Sequence, residues 1–145
     1  MSIQAVSHLA LRRLAIQSRN QTPRLSALRQ FHTTERKMVV HTVEDQAAFN
    51  EIVKTKPIVV VDAFAVWCGP CKAISPVVDK FSESPAFSNI YFVKIDVDEL
   101  PDLSQELGIS AMPTFIAFKN GEIADKVVGA SVPKIETMLN GLLDA

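Results

Sequence analysis

The chain has 145 residues, a net charge of −1, two cysteines and three histidines. That length suits one domain with a true core, and no apolar run approaches the ~18 residues needed to cross a bilayer. Two cysteines cannot build a disulfide framework, and they supply only half of a four-cysteine zinc site. No histidine lies near them at ligand spacing, so metal binding is not expected.

The near-neutral total hides an uneven distribution. Seven of the fifteen basic residues and one of the sixteen acids precede Met38, which leaves the remainder near −7. Nucleic acid is therefore not an expected partner of that remainder.

Residues 1–37 carry six arginines and Lys37 against the single acid Glu35. Ile3, Val6, Ala10 and Leu14 recur at spacings of three and four, which gives a helix one apolar stripe with Arg12 and Arg19 opposite. An arginine-rich, serine-bearing, acid-poor amphipathic segment is the mitochondrial targeting pattern. A secretory signal is disfavoured by the lack of an apolar core, and a chloroplast address by the density of arginine. "RQFHTTERKM" resembles the two-step presequence cleavage motif through Arg29, Phe31 and Thr34. That resemblance implies a first cut after Gln30 and a mature start near Val39. Met38 could also serve as an internal start, giving an unlocalised form. The expected division is a presequence over 1–38, removed or disordered, and a folded domain over 39–145.

From Val39 strands and helices alternate. "VVHTV" (Val39–Val43) reads as a short strand. Thr42 or Asp45 can cap a helix running through Lys54, with Ala47, Ala48, Ile52 and Val53 apolar. "PIVVVDAFAVW" (Pro57–Trp67) reads as a central strand buried on both faces. A helix is expected from Cys68 to about Ser82, with Pro76 as a kink. "IYFVKIDVD" (Ile90–Asp98) is a second buried strand. A short helix follows, with Pro101 in its first turn and Gly108 as its stop. Asn120-Gly121 makes a hairpin of Thr114–Gly129, and Ser131–Leu143 closes the chain as a helix. The order βαβαβαββα predicts an α/β domain: a central mixed five-stranded sheet with helices on both faces.

Chemistry concentrates in "AVWCGPCKAISP". If Cys68 opens a helix, Cys71 shares its face and the pair falls within disulfide reach. The helix N-terminus lends partial positive charge and free N–H donors, which lower a thiol pKa. Cys68 gains most, and Cys71 is expected to be deeper and less exposed. The expected division is attack by Cys68 and resolution by Cys71. Asp62 is the one acid in the buried strand. Burial should raise its pKa, which would let it accept and return the Cys71 proton. The alternative is a structural Asp62 satisfied by a hydrogen bond or by Lys94.

"WCGPCK" (Trp67–Lys72) resembles the active-site motif of thioredoxins. The resemblance runs through most of residues 39–145: "VDAFAVWCGPCKAISP", "FVKIDVDE", "GISAMPTFIAFKNGE" and "VVGAS" all match in order. It implies the thioredoxin fold and a cis bond before Pro113, with the Met112 backbone pairing with substrate. It also implies that Lys94 neighbours the buried acid. Trp67, with Val66, Gly69, Pro70, Met112 and Gly129, suggests a flat apolar docking patch that includes Ala130. Two departures are visible: Phe64 stands where many thioredoxins have Trp, and Ala111 where Gly or Val is common.

Three functions are compatible with these residues. The first is a protein-disulfide reductase in the mitochondrial matrix, maintaining redox homeostasis as a monomer with no bound cofactor or metal. Its resemblance implies electrons from NADPH through a separate flavoprotein, thioredoxin reductase, and a peroxiredoxin among its targets. The second is an oxidase or isomerase, whose relatives carry His between the cysteines; Gly69-Pro70 supplies no such charge. The third is a binding subunit whose dithiol is incidental, which a Cys68→Ser change would leave active.

Overall fold

The computed structural model describes residues 39–144; the expected presequence lies outside them. The element order is β1 (Val40–Thr42), α1 (Gln46–Thr55), β2 (Ile58–Phe64), α2 (Gly69–Glu83), β3 (Tyr91–Asp96), α3 (Pro101–Glu106), β4 (Thr114–Lys119), β5 (Glu122–Val128) and α4 (Val132–Leu143). The five strands form one sheet in the order β1-β3-β2-β4-β5. β1 and β2 both run parallel to β3, while β4 is antiparallel to β2 and to β5. This is the mixed α/β architecture the sequence predicts.

Side-chain alternation along the inner strands divides the core into two layers. Val60, Phe92, Phe115 and Ala117 pack against Ile74 and Val78 of α2 and Ile135 and Leu139 of α4. Val59, Val61, Val93 and Ile116 pack on the opposite face against Phe49 of α1 and Leu103 of α3. β2 lies between β3 and β4 with both faces covered, which is why its sequence is apolar without alternation.

Local chemistry sets the boundaries. Asp45, not Thr42, caps α1, its carboxylate accepting the Ala48 N–H at 2.7 Å. Asn120 and Gly121 both have positive φ, 52° and 88°, as a tight type I′ hairpin turn demands. Gly108 ends α3 at φ 60°. β2 stops at Phe64 rather than reaching Trp67, and α2 begins at Gly69 with Cys68 as its N-cap. The chain therefore leaves the sheet three residues before the tryptophan and delivers the cysteines at the C-terminal end of β2. α2 continues through Pro76. A short 3-10 turn, Pro85–Phe87, has no counterpart in the sequence reading. It sets Phe87 edge-on to Phe81 at 5.7 Å.

Candidate active site

Cys68 and Cys71 are joined by a disulfide, with Cα atoms 5.3 Å apart. Cys68 also uses its side chain as a helix cap: its Sγ accepts the Cys71 N–H at 3.2 Å. The first turn of α2 thus aims a backbone donor at the sulfur of Cys68. That donor, together with the helix dipole, favours a thiolate there once the disulfide is reduced. Pro70 sits in the first turn, where an N–H would have no helical partner.

One expectation needs correction. Cys71 is not the less exposed of the pair, since both cysteines are only 4 % exposed. The S–S bond and the packing of both residues beside Ala65 and Met112 cover them together. Their neighbours differ instead. Cys68 stands between exposed Trp67 and exposed Gly69. Cys71 lines a cavity of about 400 Å³ shared with Asp62, Phe64, Lys72, Ser75 and Lys94.

Asp62 is set beneath Cys71 by strand alternation. It shares its parity with Val60, so it points toward the α2 layer. Lys94 is its register partner in β3, and Lys94 also lies 5.9 Å from the Phe64 ring centroid. Asp62 Oδ1 is buried and has no hydrogen-bond partner. Burial pushes its carboxyl up from 3.8 to about 7, against the pull of Lys94 and with a smaller push from Asp79. This is the direction the sequence predicts.

The rim is apolar and open. Val66 is 63 % and Trp67 65 % exposed, and Gly69, Pro70 and Ala130 are exposed beside them. Met112 and Gly129 are half-buried, while Pro113 is buried. The Met112–Pro113 peptide is cis. The Gly129 N–H donates to Pro113 O at 2.8 Å, and Thr114 Oγ1 donates to Ala111 O at 2.6 Å. These bonds tie the cis-proline turn to both neighbouring segments.

Sequence reasoning missed Asp98. The Trp67 indole N–H donates to Asp98 Oδ2 at 2.7 Å, and Asp96 Oδ1 accepts the Asp98 N–H at 2.9 Å. The acids in "KIDVDE" were visible. Nothing in their spacing announces a contact with a tryptophan 31 residues away. Among the described residues no group of three or more His, Cys, Asp or Glu could hold a metal ion.

A redox-active dithiol at a helix N-terminus, on the C-terminal end of a central strand and over an ionisable acid, defines a protein disulfide oxidoreductase. The comparisons narrow the class. The thioredoxin family's sequence model matches residues 39–141, so the chain belongs to the thioredoxin family. It is 47% identical over 112 residues to thioredoxin-2 of Pyricularia oryzae, an alignment covering 77% of this chain and 64% of that one. The solved thioredoxin of Malassezia sympodialis superposes with TM-score 0.68 at 43% identity, covering 70% of this chain and 89% of that chain. Oxidised mitochondrial thioredoxin 3 of Saccharomyces cerevisiae superposes with TM-score 0.67 at 34% identity, covering 70% and 94%.

Proposed function

We propose that this chain reduces protein disulfides in the mitochondrial matrix, with Cys68 as attacking thiolate and Cys71 as resolving thiol. Reduced Cys68 attacks one sulfur of a target disulfide, forming a mixed disulfide and expelling the other target sulfur as a thiolate. Ionised Asp62 takes the Cys71 proton. The Cys71 thiolate then attacks Cys68 Sγ, the second target sulfur leaves as a thiolate, and the Cys68–Cys71 disulfide remains. An acid with a pKa of about 7 passes a proton in either direction at neutral pH. Lys94 limits the rise of that pKa and keeps part of the Asp62 population ionised.

Trp67, Gly69, Pro70, Met112, Pro113 and Gly129 form the docking surface for the target chain. The exposure of Trp67, Gly69 and Pro70 around the sulfurs, and the absence of a bulky side chain at Gly69-Pro70, support that role. The observation that carries the reading is the Cys68–Cys71 bond at the N-terminus of α2 with Asp62 on the wall of the Cys71 cavity.

The dithiol is restored by a separate flavoprotein, thioredoxin reductase, using NADPH, and the chain itself binds no cofactor. The arginine-rich segment before Val39 supports a presequence over 1–38 and a mature domain over 39–145 that works as a monomer. The likeness to yeast mitochondrial thioredoxin 3 supports the same compartment. A solved structure on thiol resolution in a yeast mitochondrial 1-Cys peroxiredoxin through the glutathione and thioredoxin systems also contains a chain 33% identical to this one. That supports a peroxiredoxin among the targets.

The test supplies the purified chain with insulin and dithiothreitol. Reduction must outpace dithiothreitol alone and vanish in Cys68→Ser; a rate equal to the donor's own removes the enzyme reading and leaves a binding role. Location is read separately, from import of the full chain into isolated mitochondria. A chain that stays outside, protease-sensitive, overturns the compartment and not the chemistry.

A further inference from the structure

The loop that carries Met112 begins where α3 ends. α3 is only six residues long. Leu107 N–H returns to Leu103 O at 2.9 Å, Gly108 N–H to Gln105 O at 3.0 Å and Ile109 N–H to Ser104 O at 2.9 Å. These bonds turn the chain, and they leave the Leu107 and Gly108 carbonyls at the negative end of the helix needing donors.

Both carbonyls are met by one side chain from the far edge of the sheet. Lys126 pairs with Ile116 across the β4–β5 ladder, so it projects onto the face that holds α1 and α3. Its ammonium donates to Leu107 O at 3.0 Å and to Gly108 O at 2.7 Å. From there residues 108–112 run directly into the cis-proline turn. Ser110 and Ala111 are exposed, and only Ile109 and Met112 are half-buried. Few apolar contacts therefore hold this stretch. Besides the Gly108 and Ile109 amides already paired with α3, its side-chain anchors are Lys126 at the start and the Thr114 hydroxyl on Ala111 O at the end.

We propose that Lys126 is a positioning residue for substrate docking: by pinning the Leu107 and Gly108 carbonyls it fixes the path of the loop that presents the Met112 backbone to a target chain. The inference rests on the docking role given to Met112 above. Lys126 touches no sulfur and makes no contact with the cavity under Cys71, so it acts on recognition and leaves sulfur exchange alone. One ammonium serves both carbonyls, and its charge suits the negative end of the helix; arginine can replace it, and methionine of similar length, which has no donor, cannot.

The test compares the full chain with Lys126→Met and Lys126→Arg on two oxidants. Insulin offers a main chain for Met112 to pair with. The small aromatic disulfide 5,5′-dithiobis(2-nitrobenzoate) offers none. Lys126→Met is expected to raise KM for insulin about 3- to 10-fold with kcat within about twofold, the scale of losing one or two docking hydrogen bonds. The small disulfide should react at the original rate, and Lys126→Arg should restore the insulin KM. An unchanged insulin KM overturns the proposal, as does an equal loss on both oxidants, which would mark a merely structural lysine. If the unmodified chain itself fails to accelerate insulin reduction, the reductase reading falls instead. Backbone amide shifts then decide on Lys126: the methionine change must move Ser110, Ala111 and Met112 while leaving Cys71 in place, and a still loop overturns the proposal.

Discussion

Asp62 and Lys94 are register partners in the parallel β2–β3 ladder and line the same cavity under Cys71. Yet the lysine does not hold the carboxyl at its ordinary value. Desolvation outweighs the attraction, and the pKa rises from 3.8 to about 7.

That displacement is a cost to folding with a definite pH dependence. The raised pKa means the folded state binds the Asp62 proton more tightly than the unfolded chain does. Below about pH 3, under both pKa values, both states hold the proton and nothing is lost. As pH climbs from about 4 to about 7 the unfolded chain ionises first, so stability falls, and above about 7 the loss is complete. Asp62→Asn removes it. The variant should be more stable than the native chain at pH 8, by roughly 2–4 kcal/mol, and equal to it at about pH 3. Urea unfolding at the two pH values measures this, and a gain independent of pH would disprove the assignment.

The same change should slow resolution. Without a carboxylate to take the Cys71 proton, the mixed disulfide should persist, and the rate of insulin reduction should drop about 100-fold at pH 6–7, the low end of the range for one general base. At pH 9 the thiol ionises unaided and the deficit should shrink. A deficit that is flat across pH contradicts proton acceptance by Asp62.

Cys71→Ser should leave the first step intact and remove the second. Mixed disulfides through Cys68 should accumulate and resist everything but added thiol, and gel mobility with and without reductant reveals them. Cys68→Ser should trap nothing.

Asp98→Ala frees the Trp67 indole N–H from its 2.7 Å partner. The ring stays at the surface, where it is already 65 % exposed, but loses its fixed orientation. Tryptophan emission, which Trp67 alone supplies, should change in anisotropy. KM for protein disulfides should rise about 3- to 10-fold, as for loss of one hydrogen bond. Unchanged anisotropy would mean that the apolar rim, not Asp98, orients the ring.

Leu139→Ala tests the α4 layer. Leu139 is fully buried against the sheet, so the cavity left behind should cost about 2–5 kcal/mol in denaturant unfolding. The disulfide exchange rate per folded molecule should stay the same.

Much of this architecture was legible in the chain itself. β2 showed as an uninterrupted Val-rich run because a strand covered on both faces has no polar side to display. The hairpin showed because only Asn120-Gly121 can take two left-handed residues in succession. The dithiol and Asp62 showed because sulfur at a spacing of three, and a lone acid among valines, are chemically unusual. α2 starts one residue later than the sequence predicts: Cys68 lies outside the helix and caps it, a distinction that depends on backbone angles that "WCGPCK" does not encode. The two sulfurs are covered alike, against the expectation of a deeper Cys71, because the disulfide and Ala65 bury them as one unit.

Local interactions, then, were readable from order alone: periodicity, turn chemistry, and the identity of the reactive groups. Trp67 meeting Asp98, Lys126 reaching the end of α3, and an Asp62 oxygen left without a partner were settled only when distant segments came together. Each depends on which side chains the sheet order β1-β3-β2-β4-β5 places within hydrogen-bonding reach. Such contacts act over a few ångströms in space and leave no periodic trace along the chain.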